Sequence, residues 1–198
     1  PIYIDLSGRI ENRLGLAYGR LGLGRLEMDQ GRCGTAVDYL REAAELFCQL
    51  GSAVLETEAR LATARALIRK GELAGAGDLL QELDEEGMRA DHGATLHYLQ
   101  ALLQLEAFRA EGEDALLRKA LAGLRQAVTD ENGLQRIPEA ARRWLALVEA
   151  EELAGGREAG LAARRRAAEC VRRLLDGVPS ERSRSILEKV APVSELLG

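Results

Sequence analysis

The sequence predicts an all-α protein built from pairs of antiparallel helices that stack as a single array of repeats. Hydrophobic residues make up 46% of the 198-residue chain and aromatic residues only 4%, so Leu and Ala dominate the apolar content. These are the two apolar residues that favour helix most strongly. In addition, Gly31, Gly71, Gly112 and Gly155 are separated by 40, 41 and 43 residues, a near-constant period that is typical of stacked helical repeats.

Each repeat contains two runs of apolar residues with helical spacing, and a glycine separates the two runs. In the first repeat the runs extend from Leu14 to Met28 and from Ala36 to Leu50. The pattern recurs three more times, and in the fourth repeat Pro138 stands where a first helical turn tolerates proline. The predicted repeats cover about residues 8–51, 52–88, 91–130 and 137–177. Stacking is required because no single repeat can bury its apolar face alone.

Two segments lie outside the repeats. After the fourth repeat, an amphipathic pattern begins at Pro179 and is interrupted at Pro192, so we expect a capping helix within residues 180–197. Residues 1–6 alternate apolar and polar and are expected to form an extended lead-in. The chain starts without a signal-peptide pattern, and we expect residues 1–198 to be one helical-repeat domain from a longer protein.

Small and apolar residues recur at matching places in the repeats. They are Leu23, Gly24, Gly31, Ala36, Leu40 and Ala43 in the first, Ala64, Gly71, Ala76, Leu80 and Leu83 in the second, Ala120, Leu124 and Ala127 in the third, and Trp144, Leu147, Gly155, Gly160 and Ala167 in the fourth. This pattern resembles the tetratricopeptide repeat over roughly residues 14–176. Because the period exceeds the usual 34 or so residues, the chain is similar to the long-helix variety found in large bacterial regulators and kinases.

The resemblance implies a right-handed α-superhelix whose first helices line a concave groove for a protein or peptide. The groove positions that it implies are Tyr18, Leu21, Arg25, Met28, Leu61, Arg65, Ile68, Arg69, Leu102, Glu106 and Arg109. Arg25 and Arg65 are equivalent positions in adjacent repeats, so they could clamp a carboxylate or an acidic segment. Glu106 ends this ladder in the third repeat. The alternative is that all three are ordinary charges of the groove wall.

A second candidate surface is basic. Residues 157–189 carry nine Lys and Arg against five Asp and Glu, although the whole chain has a net charge of -5. The helical spacing places several of five arginines on one side, namely Arg164, Arg165, Arg166, Arg172 and Arg173. The alternative is a solvated outer face, partly paired with Glu169 and Asp176. The acidic net charge and the lack of interleaved aromatic residues argue against a nucleic-acid partner.

Side chains capable of chemistry are present, but not in catalytic or metal-binding patterns. His92 and His97 are five residues apart with no cysteine nearby, so we expect neither a metal site nor a cofactor. Cys33, Cys48 and Cys170 are scattered along the chain. We expect them to be reduced, mostly buried thiols of a cytoplasmic protein.

Four glycines cluster in the first predicted helix, at Gly15, Gly19, Gly22 and Gly24. A phosphate-binding loop would need a preceding strand and a Lys-Ser/Thr pair, which this segment lacks. Close packing between helices is therefore the favoured explanation for these glycines.

These observations predict a non-enzymatic scaffold module that binds a partner protein or peptide, as one region of a bacterial signalling or transcription-regulatory protein. No apolar run approaches the roughly 20 residues of a membrane-spanning helix, so we expect no membrane partner. An exposed end repeat could pair with a second copy to form a homodimer. Two alternatives remain: a sensor domain for a small signalling peptide or metabolite, and an α-helical enzyme whose site converges from separate helices.

Overall fold

The structure, a computed structural model, describes residues 12–83, 90–129, 137–189 and 193–197, with only the main chain described at residues 90 and 91. Every regular element within these ranges is a helix, which confirms the predicted all-α class. The helices are α1 (Arg13–Asp29), α2 (Cys33–Gln49), α3 (Ala53–Lys70), α4 (Leu73–Gln81), α5 (Ala90–Glu111), α6 (Asp114–Thr129), α7 (Ile137–Asp176), α8 (Glu181–Glu188) and α9 (Val193–Leu197). The chain divides into two compact units, Pro1–Leu99 and Gln100–Gly198. The predicted lead-in at residues 1–6 and the interruption at Pro192 lie outside the described residues.

The turns that end α1, α2 and α3 share one hydrogen-bonding pattern. Each contains a glycine with a positive φ, at 79° in Gly31, 67° in Gly51 and 87° in Gly71. In the turn after α3, the Gly71 amide donates to the Ile68 carbonyl and the next amide donates to the Leu67 carbonyl, both at 3.0 Å. This is the Schellman motif, which uses a left-handed residue to satisfy the last carbonyls of a helix. Glycine is favoured there because it has no Cβ to clash.

The break in the fourth predicted repeat lies at Gly156 and not at Gly155. Gly156 has φ 74° and ψ -169°, so it interrupts α7 and separates a segment at residues 137–155 from one at 157–176. Two glycines are adjacent in the sequence here, and its pattern does not indicate which one takes the left-handed conformation. The prediction was therefore wrong by one residue.

The first unit has a core in which α2 packs against α1 and α3. α2 contributes Leu40, Ala43 and Phe47, which have no exposed surface. The rings of Phe47 and Tyr18 meet edge to face with their centroids 5.4 Å apart, which ties α1 to α2. The apolar spacing of three and four along α2 thus correctly predicts its buried face.

The glycines of α1 have different structural roles. A Cβ on Gly24 would lie 2.5 Å from Leu40 Cγ and 3.2 Å from the Ala36 carbonyl oxygen, so close packing of α1 on α2 requires glycine there. A Cβ on Gly22 would meet no atom within 4 Å. The packing explanation is therefore confirmed for Gly24 and wrong for Gly22, which faces open space on the exposed side of α1.

The second unit is built around α7. α6 packs against α7, and Leu124 of α6 is fully buried. A Cβ on Gly123 would lie 2.7 Å from the Ala101 Cβ, so α5 and α6 approach closely at this glycine. The predicted capping segment forms two short helices, α8 and α9, and α9 buries Val193 and Leu196 against α7.

The three cysteines are free thiols, but the expectation that they are mostly buried is wrong. Cys48 is exposed, and Cys33 and Cys170 are each partly exposed. Cys48 lies one residue after the fully buried Phe47, in the last turn of α2.

Candidate functional site

The apolar positions predicted for the concave groove are largely used in packing. Leu21 and Met28 of α1 and Leu61 and Ile68 of α3 are between 3% and 5% exposed, so they belong to the core of the first unit. Tyr18 is 44% exposed and rests its ring against Phe47. The sequence pattern identifies these positions as apolar, but it does not separate a groove wall from a core, because both require the same helical spacing.

The surface that α1 and α3 share is called here the first-helix face. It is defined by Leu14, Tyr18, Gly22 and Arg25 of α1 and by Val54, Glu58 and Arg65 of α3. The Arg25 guanidinium lies 2.5 Å from the Glu58 carboxylate, and both side chains are partly exposed. This ion pair joins α1 to α3 across 33 residues of sequence. An acidic ligand would have to displace Glu58 before Arg25 could clamp it.

Arg65 is half-buried on the first-helix face, and Arg69, near the end of α3, is exposed. In the second unit, Leu102 and Glu106 are half-buried on α5. Arg109 lies 2.5 Å from Glu106 and also pairs with Glu149 of α7, so it links α5 to α7. Arg109 and Arg25 therefore both form ion pairs between helices.

The predicted basic face is exposed throughout, at Arg164, Arg165, Arg166, Arg172 and Arg173. Arg164 donates a hydrogen bond of 3.0 Å to the Glu195 carbonyl and so holds α9. The predicted pairing with Asp176 is not seen, since the described ion pair of Asp176 is with Arg184 at 4.0 Å. Arg173 Nη2 also lies 3.9 Å from Cys170 Sγ, and the basic face is thus an exposed surface with these two contacts among the described residues.

A groove that the sequence did not predict lies in the first unit, between α2 and α4 with α3 as its floor. It has a volume of about 560 Å³. Its lining consists of Arg41, Ala44, Glu45, Cys48 and Gln49 from α2, Glu56, Arg60, Thr63 and Leu67 from α3, and Gly75, Asp78, Leu79 and Glu82 from α4 and its C-terminal end. This site is called the second-helix groove, because α2 and α4 follow the first helix of their predicted repeats.

α3 contributes to both surfaces with opposite sides. Arg60, Thr63 and Leu67, at spacings of three and four, line the second-helix groove. At about 100° per residue, Leu61 and Arg65 lie roughly half a turn away around the helix axis. The second-helix groove is therefore on the opposite side of α3 from the predicted groove.

The base of the second-helix groove is closed by buried residues of α3. Leu67 is 1% exposed, and Thr63 is 2% exposed with its hydroxyl donating to the Ala59 carbonyl at 2.9 Å. Because that hydroxyl is satisfied within α3, the floor presents no unpaired polar group from Thr63. Leu79 of α4 is half-buried and offers apolar surface to the groove, whereas Ala44 of α2 is only 9% exposed.

The charges of the second-helix groove are mainly negative. Arg60 and Glu56 form an ion pair at 2.9 Å, and so compensate each other. The remaining charged side chains are one cation, Arg41, and three carboxylates, Glu45, Asp78 and Glu82. Arg41 and Glu45 come from α2, and Asp78 and Glu82 come from α4 and its C-terminal end. In the described part of the chain, no basic side chain lies within ion-pair distance of Asp78 or Glu82.

Gly75 leaves part of the second-helix groove open. A Cβ built on this residue would meet no atom within 4 Å, although Gly75 lies inside helix α4. Gly22 of α1 has the same open space, so the glycine shows only that position 75 leaves room in the groove. The sequence shows a glycine at position 75, but it does not show where α4 begins and ends or which side of the helix this residue is on.

Two pairs of described residues with shifted pKa values lie away from both surfaces. Arg32 Nη2 donates to Glu27 Oε1 at 2.9 Å in the turn between α1 and α2, and this hydrogen bonding lowers the pKa of Glu27. Arg125 donates to both carboxylate oxygens of Glu151 at 2.9 and 3.2 Å, which raises the pKa of Arg125. Among the side chains that the structure describes, no three His, Cys, Asp or Glu residues come together as metal ligands would.

No known protein-family model matches the chain, and no curated protein matches it at a significant level. The resemblance to tetratricopeptide repeats thus rests on the residues and their spacing. Among the described helices, none is both long enough and apolar enough to span a membrane.

Proposed function

We propose that the chain is a protein-interaction module that holds a segment of a partner protein and catalyses no reaction. The second-helix groove carries this proposal, because a concave surface that combines the half-buried Leu79 with a charged rim can receive an amphipathic helix or peptide. The groove is formed by three helices of one compact unit. Such a site is formed before binding, which lowers the entropy lost by the receptor.

We further propose that the helix pairs form a tetratricopeptide-like, right-handed array within a bacterial, cytoplasmic signalling or transcription-regulatory protein. The shared turn motif at Gly31, Gly51 and Gly71 supports a regular repeat. The close approach of Leu40 to Gly24 supports the role of the Leu-Gly pair in packing two helices together.

Capture of the partner from a native lysate tests the proposed function with two matched variants. Gly75→Trp fills the second-helix groove, and Gly22→Trp covers the first-helix face. Both positions are helical with open space above them, and tryptophan is a better helix former than glycine, so both variants should fold. We expect the partner to be lost with Gly75→Trp and retained with Gly22→Trp.

Loss of the partner with Gly22→Trp and its retention with Gly75→Trp would indicate that the first-helix face is the binding surface, as the resemblance implies. A partner that is captured equally by both variants and by the original chain would show that neither surface binds it. Circular dichroism of each variant verifies that a loss of capture is not a loss of fold.

The sensor alternative is supported by the volume of the groove, since small-molecule sites usually measure about 300–1,000 Å³. A ligand that binds only the folded chain raises its thermal midpoint in a saturable manner. A metabolite or peptide pool that raises the midpoint of the original chain, but not that of Gly75→Trp, would favour this second function.

A further inference from the structure

We propose that the occupant of the second-helix groove is an amphipathic helix with an apolar stripe flanked by Lys or Arg. This inference rests on the proposed function, and it adds the chemistry of the partner. It also differs from the acidic ligand that the predicted arginine ladder would select.

The charge of the groove determines the sign of the partner. Asp78 and Glu82 are four residues apart on α4, so both lie on the same side of the helix. Like charges at this spacing repel each other and destabilise a helix. No basic side chain among the described residues compensates either carboxylate. A cationic side chain in the groove would relieve this repulsion and neutralise negative charge that now faces water.

Glu45 adds a third carboxylate from the opposite wall. Among the lining residues that the structure describes, Arg41 is the only cation outside the Glu56–Arg60 pair. Partner cations on both edges of an inserted helix would therefore meet carboxylates from α2 and α4. The same carboxylates would repel phosphate groups and acidic peptides, which excludes nucleic acids and acidic segments as occupants.

The lining determines the conformation of the partner. All three walls are helices whose backbone groups bond within the helix, so they offer no strand edge to which an extended peptide could add. Recognition must then use side chains, as in the insertion of a helix into a groove. The half-buried Leu79 provides apolar contact, and Gly75, four residues earlier on α4, leaves space for a bulky anchor.

Binding of designed peptides to the full chain tests this inference. One probe is a fluorescent peptide of about 18 residues, or five helical turns, with a Leu/Ala stripe and Lys on both flanks. The second probe has Glu in place of each Lys. We expect the Lys peptide to bind. Its affinity should fall as salt is added, because screening reduces attraction between exposed charges. We expect no binding of the Glu peptide.

Two charge variants localise the interaction. The double variant Asp78→Lys, Glu82→Lys should weaken binding of the Lys peptide by at least about tenfold, a factor that corresponds to about 1.4 kcal/mol. Glu158→Lys with Glu169→Lys makes the same change in net charge at exposed positions of α7 and should weaken it far less. Gly75→Trp should abolish binding.

Equal binding of the two peptides, no binding of either, or an equal loss in the two charge variants would overturn the inference. These outcomes leave the proposed function to be judged by the lysate capture. A partner that Gly75→Trp fails to capture, and whose binding segment is acidic, would support the proposed function while contradicting a basic occupant.

Discussion

The surfaces on the two sides of α3 differ in how their charged side chains are paired. On the first-helix face, Arg25 is paired with Glu58, and the neighbouring Leu61 is 4% exposed. In the second-helix groove, Asp78 and Glu82 face an open volume without described partners. Glu56 and Arg60 of α3 are also paired in this groove, so the difference lies in the two carboxylates of α4, which remain available. A binding surface is better recognised by interactions that are left unmade than by the position of a helix in a repeat.

The largest effect is expected at Gly24, beneath the first-helix face. Gly24→Val should destabilise the chain by about 3 kcal/mol, because its side chain would overlap the buried Leu40. Gly22→Ala on the same helix should instead stabilise it by up to about 1 kcal/mol, since alanine is the better helix former and meets no atom. Urea unfolding measures both. Equal effects at the two positions would contradict the packing of α1 on α2.

These glycines show what the sequence could predict. The turns at Gly31, Gly51 and Gly71 follow from local chemistry, because only glycine adopts a positive φ freely. The helices between them follow from apolar spacing. The side of a helix that a glycine faces does not follow from the local sequence. Gly22 and Gly24 are two residues apart in α1, and only Gly24 faces α2.

The next effect concerns the Arg25–Glu58 pair. Glu58→Lys should destabilise the chain by about 1 kcal/mol, because it replaces a partly exposed ion pair with a repulsion. Combining Arg25→Ala with Glu58→Ala in a double-mutant cycle should give a coupling of about 0.5–1 kcal/mol. A coupling near zero would mean that Arg25 is available to a ligand after all.

Charge reversal of the groove carboxylates, in contrast, should not destabilise the chain. Asp78→Lys with Glu82→Lys should leave stability unchanged or raise it by a few tenths of a kcal/mol, because the changes place cations at the C-terminal end of α4. Thermal unfolding verifies this. A marked loss of stability would mean that these carboxylates have a structural role, and the contrast between the two sides of α3 would fail.

The smallest effect is expected at Glu27, which belongs to neither surface. Its pKa in the folded chain is lowered from the ordinary 4.5 by the hydrogen bond from Arg32. The resulting stabilisation is present above the unfolded pKa and is lost as the pH falls through the folded pKa. Glu27→Gln should therefore reduce the urea midpoint slightly at neutral pH, and the difference should vanish in acid. A difference that persists in acid would contradict a role for the charge.

The candidate site itself could be predicted only in part. The resemblance pointed to the first helices, and Tyr18 and Arg25, seven residues apart, do lie on the same side of α1 with at least part of each side chain exposed. The partner of Arg25 was not predictable, because Glu58 is 33 residues away and meets it only through the packing of α1 on α3. The second-helix groove was missed because its walls come from three helices, and no local spacing brings Glu45 and Asp78 into one site.

The most direct measurement uses the native thiols. Cys48 lines the second-helix groove, while Cys33 lies at the start of the same helix and outside the groove. Alkylation of both can be followed by mass spectrometry in buffer and after partner capture. We predict that the bound partner slows alkylation of Cys48 and leaves the rate at Cys33 unchanged. Equal rates at Cys48 with and without the captured partner would contradict the assignment of the groove as the binding surface.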